Sequence, residues 1–280
     1  MKTLVRIAML AAGTALSAGA LAQAAKPAAA HHDHNVMLLD QAIAGTHRSE
    51  ANRARDQYRH PKETLTFFGV KPNMTVVEIS PGGGWYTEIL APYLANGGTY
   101  YAAGANPAAS ERAAKAAADF KAKLAATPAT AKAKVTSFGK DDYDSLAPAG
   151  TADVVLTFRN VHNWYSADLA SQAFQAFFKA LKPGGTLGVV EHRLPEDRDD
   201  ALMKTSGYMK RSAVVKIAEA AGFKLAGESE VNANPKDTAD YPKGVWTLPP
   251  NYTEGDKDRA KYAAIGESDR MTLKFVKPAK

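Results

Sequence analysis

The sequence predicts an α/β fold in which a doubly wound parallel sheet carries helices on both faces. Two observations lead to this prediction. Short β-branched and apolar runs alternate with helical stretches between residues 75 and 221, and a glycine-rich turn at 80–84 joins the first run to the helix after it. Alternation of this kind requires parallel strands joined by right-handed crossovers. The length of 280 residues suffices for one large domain with extensions.

The predicted elements follow one another in a regular order. We predict strands over 75–79, 98–103, 134–138, 153–158 and 186–191, and helices over 85–95, 108–125, 167–181 and 211–221. Two further strand-like runs come later, at 223–230 and 270–276. The stretch between them, 232–268, is rich in Pro, Gly and Asp. Because it is long for a plain connection, we predict that it is a functional loop insertion.

The N-terminal segments are predicted to lie outside the α/β domain. Residues 1–24 have the pattern of a signal peptide, since Lys2 and Arg6 precede an apolar stretch and the sequence AQA at 22–24 fits a cleavage site. Residues 25–37 are predicted to be a flexible tail. We therefore expect an exported, periplasmic and soluble protein.

The rest of the chain, 38–280, is predicted to be a single domain that opens with a helical extension over 38–64. Pro61 interrupts the helical pattern of this extension. In the tail, the histidines at 31, 32 and 34 could bind a metal ion or could be chance residues of a disordered linker. A short histidine tract is only a compositional signal, and we predict no metal site.

The composition argues against several classes of function. The formal net charge is +6, and it becomes +4 (33 basic against 29 acidic residues) when Lys2 and Arg6 of the leader are removed. Such a mild and dispersed charge gives no reason to expect a nucleic-acid partner. Beyond the leader, no stretch is long and apolar enough to span a membrane, and the absence of cysteine fits an oxidising compartment. We expect a small-molecule substrate and leave the oligomeric state open.

The strongest functional signal is the stretch VVEISPGGGWYTEIL at 76–90. A strand, a glycine turn and a helix N-terminus together make a cradle for a nucleotide cofactor. Glu78, at the end of the strand, argues for a ligand with a positive or hydroxyl-rich part and so for S-adenosylmethionine before NAD. Gly82 and Gly84 match the start of the G-x-G-x-x-G fingerprint of NAD proteins, but Thr87 occupies its third glycine position.

Four segments in the right order resemble the class I S-adenosylmethionine-dependent methyltransferases. They are EISPGGG at 78–84, DVVLTFRNVHNW at 153–164, LKPGGTLGVVE at 181–191 and AAGFKL at 220–225. The resemblance covers roughly residues 60–231, and the chain looks most like an exported bacterial subgroup of predicted methyltransferases. It implies a Rossmann-like, seven-stranded sheet with six parallel strands and an antiparallel last strand at 270–276.

The resemblance also implies which residues hold the cofactor. The backbone around Ser80, Pro81, Gly82, Gly83 and Gly84 would face the methionine part of S-adenosylmethionine. Glu78 would support this loop or reach the cofactor's amino group through water. Alternatively, Glu78 caps its own loop by bonding local N–H groups.

Two further cofactor contacts are less well matched. Family members usually carry an acid at the end of the second strand to bind the ribose hydroxyls, but Gly104 stands at that position. Asn106 could offer one hydrogen bond instead. After the third strand, Asp141 or Asp142 could bind the adenine amino group, although both are also ordinary loop acids.

The loops after strands four and five supply the catalytic candidates. Methyl transfer needs orientation of the reactants and, for a hydroxyl or amine acceptor, a base. His162 and His192 suit base chemistry near neutral pH, but either could instead pack structurally. Arg159 and Arg193 could bind an acidic substrate bidentately or could pair with nearby acids such as Glu191 and Asp197.

Two functions are consistent with this sequence. The first is an exported S-adenosylmethionine-dependent methyltransferase acting on a small molecule or an envelope component. The second is a non-catalytic ligand-binding protein on the same fold, which the missing ribose acid and the export signal favour. A third hypothesis, an NAD-dependent enzyme, is disfavoured by the incomplete fingerprint. Fold alone does not decide between them.

Overall fold

The structure is a computed structural model that describes residues 26–139 and 141–279. Side chains are described from His34 onward. The predicted signal peptide, 1–24, lies outside the described residues. Within the described part of the chain, none of the helices has the length and apolar character needed to cross a lipid bilayer.

The core is a mixed sheet with the strand order β3-β2-β1-β4-β5-β8-β7. Its strands are β1 (Thr75–Ile79), β2 (Thr99–Ala105), β3 (Lys134–Phe138), β4 (Ala152–Phe158), β5 (Leu181–Leu194), β6 (Met209–Lys210), β7 (Lys224–Ser229) and β8 (Arg270–Val276). Strand β8 runs antiparallel to both of its neighbours, β5 and β7, and the pairs among β1–β5 are parallel.

This arrangement confirms the predicted fold class, a Rossmann-like doubly wound sheet with an antiparallel last strand. The prediction missed only β6, which pairs in parallel with the end of β5 through Arg193 and Leu194. A strand of two residues is too short to show the alternation by which strands are recognised in a sequence.

The helices lie on both faces of the sheet. They are α1 (Lys26–Ile43), α2 (Glu50–Arg53), α3 (Asp56–Arg59), α4 (Pro61–Phe68), α5 (Thr87–Leu94), α6 (Glu111–Ala126), α7 (Val161–Ser166), α8 (Ala170–Ala180), α9 (Leu202–Thr205), α10 (Arg211–Ala220) and α11 (Arg259–Ile265). Single 3₁₀ turns occur at Pro107–Ala109 and Gly244–Thr247. Helix α7 occupies part of what the sequence suggested was a loop after the fourth strand.

The N-terminal extension differs from its prediction in two ways. Helix α1 already begins at Lys26, inside the residues 25–37 that we predicted to be a flexible tail. The alanine run at 28–30 explains the difference, because alanine has the highest helix propensity. Pro61 does not break a helix but opens α4 at its first turn, where a missing N–H costs nothing.

Two apolar cores fill the space between the sheet and its helices. Val77, Ile79 and Val155 point to one face, where α8 and α10 pack. Val76, Val154 and Leu156 point to the other face, where α4 and α5 pack. Because successive strand residues alternate between faces, the near-continuous apolar runs of β1 and β4 supply both cores. This leaves the carboxyl ends of the parallel strands as the edge where polar side chains collect.

The insertion 232–268 is attached to this edge by polar side chains. The side-chain amide of Asn232 donates to the hydroxyls of Thr64 and Thr272 at 3.0 and 2.9 Å. Asp237 accepts from the hydroxyl of Tyr208 and from the backbone N–H of Asp269. These bonds hold the insertion against β8 and the helical extension, so its residues border the site described next.

Candidate active site

The glycine turn after β1 is open on its ligand-facing side. Ser80, Gly82 and Gly84 have φ values of 50°, 59° and 85°, the left-handed conformation that glycine adopts without strain. The N–H groups of Gly82 and Gly83 donate no hydrogen bond to any residue in the described ranges. A Cβ at either position would meet no atom within 4 Å. The turn therefore presents free N–H donors to open space.

Glu78 lies buried directly beneath this turn. Its carboxylate accepts hydrogen bonds from the hydroxyls of Tyr100 and Thr87. Burial raises the pKa of Glu78 to about 7, although both hydrogen bonds act in the opposite direction. Its hydrogen bonds thus run to side chains, not to the loop N–H groups that the capping alternative requires.

A cavity of about 250 Å³ lies over the turn, and we call it the cradle cavity. Its wall includes Glu78, the turn residues 80–83 and Arg159. Tyr86 and Phe158 also line it, with their rings stacked at a centroid distance of 3.6 Å. Open backbone donors and a flat aromatic pair on a concave surface are the features of a small-molecule site.

The helical extension forms one side of the cradle cavity. Arg59 lies over the ring of Trp85 at 4.7 Å, and the indole N–H of Trp85 donates to the carbonyl of Asn52 at 2.8 Å. Arg55 and Arg59 both line the cavity. Trp85, which directly follows the glycine turn, therefore holds the extension beside the cavity.

A second cavity, of about 340 Å³, adjoins the first, and we call it the histidine cavity. His162, His192 and Trp246 line it. Arg55, Arg59 and Arg159 line both cavities, so these arginines mark the boundary between the two. The structure thus brings together the three predicted catalytic residues, His162, His192 and Arg159.

His162 is oriented by a buried carboxylate. Its Nδ1 lies 3.0 Å from Oε1 of Glu191. Glu191 is fully buried and accepts from three backbone N–H groups, those of Val161, His162 and His192. Since both carboxylate oxygens act as acceptors, the ring proton of His162 lies on Nδ1. Its Nε2 is left as an acceptor.

His192 is held as a neutral imidazole beside it. The centroids of the two rings are 5.4 Å apart, and Nδ1 of His192 lies 2.5 Å from Oγ of Ser268. Burial lowers the pKa of His192 well below its ordinary value, and the positive charge of Arg159 lowers it further. His192 therefore carries no charge near neutral pH.

The group His162, Glu191 and His192 also has the spacing of a metal site, with one ligand atom from each lying within 4.8 Å of the others. However, Glu191 already accepts three backbone hydrogen bonds and one from His162. Nearby guanidinium groups also disfavour a cation. The geometry favours positioning of His162 over coordination of a metal ion.

Two of the boundary arginines, Arg55 and Arg59, share a single acid with Arg270. Nε of Arg55 lies 2.6 Å from Oε1 of Glu267, while Nε of Arg59 and a terminal nitrogen of Arg270 lie 3.3 and 3.1 Å from Oε2. Burial would raise the pKa of Glu267, but the positive charges of Arg270, Arg59 and Arg55 lower it to about 2. Glu267 is therefore ionised throughout the physiological range.

Arg159 differs from these arginines in having no partner. In residues 26–139 and 141–279, nothing forms a hydrogen bond or an ion pair with its guanidinium group. Its backbone is in the left-handed conformation at φ 61° and donates to the carbonyl of Val190 at 2.7 Å. Such a conformation in a bulky residue is uncommon and gathers at functional sites.

Several predicted site residues lie outside the two cavities. Asn106 caps the 3₁₀ turn after β2 by accepting from the N–H of Ala108. Asp142 accepts from the hydroxyl of Ser137, and Asp141 is exposed with φ 64°. Gly84 shapes the turn from behind, since a Cβ there would lie 3.1 Å from Phe120.

Arg193 also lines neither cavity. It binds Glu230 and Asp269, so the pairing with Glu191 or Asp197 that the sequence left open is wrong. The structure adds Glu267 and Ser268, which the sequence analysis did not single out. Their position before β8 was one available signal. Because β8 is antiparallel, its start lies at the edge where the parallel strands end, so residues just before it lie near the site. The partners of Glu267 in the extension are more than 200 positions away and leave no local pattern.

Comparison with known proteins agrees with this architecture. Residues 77–189 match a family model described as a methyltransferase domain. A methyltransferase from Aquifex aeolicus described as SAM-dependent aligns with a TM-score of 0.52 at 17% identity, covering 80% of this chain and 93% of its own. A putative sarcosine dimethylglycine methyltransferase from Galdieria sulphuraria has a TM-score of 0.53 at 14% identity, covering 81% and 86%.

A third similar structure is the cyclase SpnF, with a TM-score of 0.53 at 16% identity, covering 90% of this chain and 96% of its own. No curated protein matches the chain. The sheet order and the glycine turn are those of the Rossmann-like fold class. Within that class, residues 77–189 are similar to a methyltransferase domain, and this match supports S-adenosylmethionine as the cofactor.

Proposed function

We propose that this protein transfers the methyl group of S-adenosylmethionine to a small molecule bound in the histidine cavity. One observation carries the proposal. The cradle cavity and a cavity containing two imidazoles adjoin at Arg55, Arg59 and Arg159. A donor in the first cavity and an acceptor in the second would meet at this boundary, and such proximity is what methyl transfer requires of a protein.

The residues of the cradle cavity fit the cofactor. The free N–H groups of Gly82 and Gly83, with Arg55 or Arg59, suit the methionine carboxylate. Glu78 suits the ammonium group. The ribose has no carboxylate partner at Gly104, where a Cβ would lie 4.0 Å from the nearest atom, the carbonyl oxygen of Thr136.

His162 is proposed as the base. Bound S-adenosylmethionine supplies a methyl carbon on a positively charged sulfur and leaves as a neutral thioether. As the lone pair of the acceptor oxygen or nitrogen forms the new bond to carbon, the proton of that O–H or N–H group moves to Nε2 of His162. Glu191 stabilises the resulting imidazolium through Nδ1 at 3.0 Å.

His192 has a different role in this proposal. Its lowered pKa makes it a poor proton acceptor, and Ser268 occupies its Nδ1. We propose that it positions the acceptor as a neutral hydrogen-bonding group. The stacked pair Tyr86 and Phe158 and the ring of Trp246 would exclude water from the reacting atoms.

A non-catalytic binding protein is the second candidate. The missing acid at Gly104 favours the binding protein, because fewer hydrogen bonds to the ribose lower the affinity for the cofactor. The similarity to a cyclase also illustrates that this fold is not restricted to one reaction. The oriented His162–Glu191 pair favours the enzyme, since a binding protein has no need of a positioned base.

Export is proposed on the sequence of residues 1–24, which has a basic start, an apolar stretch and an AQA site. The chain would then belong to an exported subgroup of methyltransferases and act on an envelope or periplasmic molecule. Mass spectrometry of the protein from a periplasmic fraction tests this. A mature N-terminus at residue 25 is expected, and a full-length chain in the cytoplasm would contradict it.

The first test of the function is calorimetric titration of the purified protein with S-adenosylmethionine and S-adenosylhomocysteine. Micromolar binding, about −8 kcal/mol, is expected for both. If both bind, screening of acceptors with detection of S-adenosylhomocysteine separates enzyme from binding protein. Absence of binding to either ligand would contradict the proposal.

A further inference from the structure

We infer that the acceptor carries an oxyanion, either a carboxylate or a phosphate, and that Arg159 binds this group in the histidine cavity. The inference rests on the proposed methyl transfer and names the chemical class of its acceptor. The observations behind it are the balance of charge around the two cavities, the unpartnered guanidinium of Arg159 and the positions of the two histidines.

The charge around the cavities is positive. Arg55, Arg59 and Arg159 line both of them, and Arg270 lies behind. Three of these four arginines share Glu267. Buried charges require partners, because burial of an unpaired ion is costly. One carboxylate cannot satisfy four guanidinium groups.

The other acids near the cavities do not restore the balance. The carboxylate of Glu191 already accepts hydrogen bonds from three backbone N–H groups and from His162. Glu78 lies under the glycine turn, and burial raises its pKa to about 7, so it is only partly ionised at neutral pH. Consistent with an excess of positive charge, burial and neighbouring arginines lower the pKa of both Arg59 and Arg159.

The cofactor would not remove this excess. Its methionine part contributes one carboxylate and one ammonium group, and its sulfur adds a further positive charge. A bound S-adenosylmethionine therefore raises the net charge of the site by one. An anionic acceptor lowers that charge and stabilises the sulfonium next to which it reacts.

Arg159 is the residue placed to receive the anion. It follows β4 directly, lines both cavities and has a guanidinium group with no partner among the described residues. Its left-handed backbone at φ 61° is held by the bond to Val190. A guanidinium group binds carboxylate and phosphate bidentately. An oxyanion on Arg159 would place the remainder of the acceptor against His162, His192 and Trp246.

The test compares probes of matched shape in the protein saturated with S-adenosylhomocysteine. The probes are benzoate, phenyl phosphate and the neutral benzamide, titrated by calorimetry and by intrinsic tryptophan fluorescence. We expect at least one anion to bind about tenfold more tightly than benzamide. The tighter of the two anions identifies a carboxylate or a phosphate as the preferred group.

Two variants assign the effect to Arg159. In Arg159→Gln the preference for the anion should fall to about twofold or less, while S-adenosylhomocysteine binds as in the wild type. Glutamine keeps a polar side chain but is shorter and uncharged, so it removes the guanidinium group without introducing glycine or proline at this backbone position. Arg112→Gln, which makes the same charge change on an exposed residue of α6, should retain the full preference.

Three results would overturn the inference. Equal binding of the anions and benzamide, or no binding of any probe, would show that the cavity does not select an oxyanion. If Arg112→Gln loses the preference for anions as much as Arg159→Gln does, the preference depends on the overall charge of the protein and not on Arg159. If Arg159→Gln instead abolishes binding of S-adenosylhomocysteine, the arginine serves the cofactor. Binding of S-adenosylhomocysteine to the wild type is measured before any probe is added. If it does not bind, the proposed function itself is contradicted.

Discussion

Nδ1 of His162 lies 3.0 Å from a carboxylate oxygen of Glu191, and the same carboxylate accepts three backbone N–H groups from the ends of β5 and the start of α7. The carboxylate thus joins the start of α7 to the end of β5 and also fixes the orientation of the His162 ring. Glu191 is a positioning residue in this arrangement, since it acts through His162 and lines neither cavity.

The first prediction concerns Glu191→Gln. An amide can offer only one acceptor oxygen where the carboxylate offers two, so a buried N–H group is left opposite an NH₂ donor. We expect a loss of about 1–3 kcal/mol in the free energy of unfolding. In addition, ¹⁵N NMR of His162 should change from the Nδ1–H form to a mixture of tautomers.

Glu50→Gln is the matched control, because Glu50 is exposed in the first turn of α2. It should leave both the unfolding free energy and the tautomer of His162 unchanged. A Glu191→Gln variant that is destabilised but keeps the Nδ1–H tautomer would restrict Glu191 to a structural role.

The second prediction concerns the pH dependence of cofactor binding. Burial raises the pKa of Glu78 to about 7, and only the ionised form attracts the ammonium group of the cofactor. Affinity for S-adenosylmethionine should therefore fall as pH decreases below 7, by up to about tenfold per pH unit. Titrations between pH 5.5 and 8.5 measure this dependence.

The same residue affects stability in a defined direction. Glu78 ionises near pH 4.5 in the unfolded chain but near pH 7 in the folded protein, so it reduces stability as pH rises through this window. Glu78→Gln should remove both effects, giving weak and pH-independent binding. A variant whose affinity still rises between pH 6 and 8 would assign the titration to another group.

The third prediction concerns acid denaturation. Despite burial, Arg270, Arg59 and Arg55 lower the pKa of Glu267 to about 2. Its contribution to stability is therefore complete above about pH 4.5 and is lost as pH falls through 2. The contribution is on the order of 3 kcal/mol. Urea unfolding at a series of pH values measures it.

Glu267→Gln isolates this contribution from the other acids of the chain. The wild type should be more stable than the variant at pH 7, and the difference should shrink as pH falls from 4.5 toward 2. A difference that is constant over this range would mean that the ion pairs with the arginines do not stabilise the fold.

The fourth prediction concerns the glycine turn. A Cβ at Gly83 would meet no atom within 4 Å, so Gly83→Val should fold with a normal unfolding midpoint. Its side chain would occupy the space over the turn and reduce the affinity for S-adenosylhomocysteine at least about tenfold. Gly97→Val, on the exposed turn before β2, is the control and should bind normally. Unchanged binding by Gly83→Val would place the cofactor site elsewhere.

The fifth prediction is a gain of affinity. Gly104 lies near the end of β2, and a Cβ there has no contact closer than 4.0 Å. Gly104→Asp should restore a carboxylate for the ribose hydroxyls and tighten S-adenosylmethionine binding several-fold through charge-assisted hydrogen bonds. Gly104→Asn keeps the shape without the charge and should give a smaller gain. Weaker binding by both variants would show that the cofactor lies over β2 differently from this proposal.

Much of the fold was predictable because its signals are local. The strands β1 and β3 have the predicted bounds, Thr75–Ile79 and Lys134–Phe138, since β-branched runs between turn residues are short and sharply delimited. The glycine turn also has a local cause, the need for positive φ at Gly82 and Gly84. By contrast, β5 extends from Leu181 to Leu194, beyond its predicted bounds, because pairing with neighbouring strands overrides the propensity of its first residues.

The sequence by itself determined the sheet, the cradle and the candidates His162, His192 and Arg159, because each follows a strand or a turn with a local pattern. Only the tertiary structure decided which of them have partners. Glu191 orients His162, Glu267 pairs with arginines of the distant extension, and Arg159 has no acid bonded to it among the described residues. Ion pairs and hydrogen bonds depend on distances of a few ångström between segments far apart in the chain, and no local pattern specifies those distances.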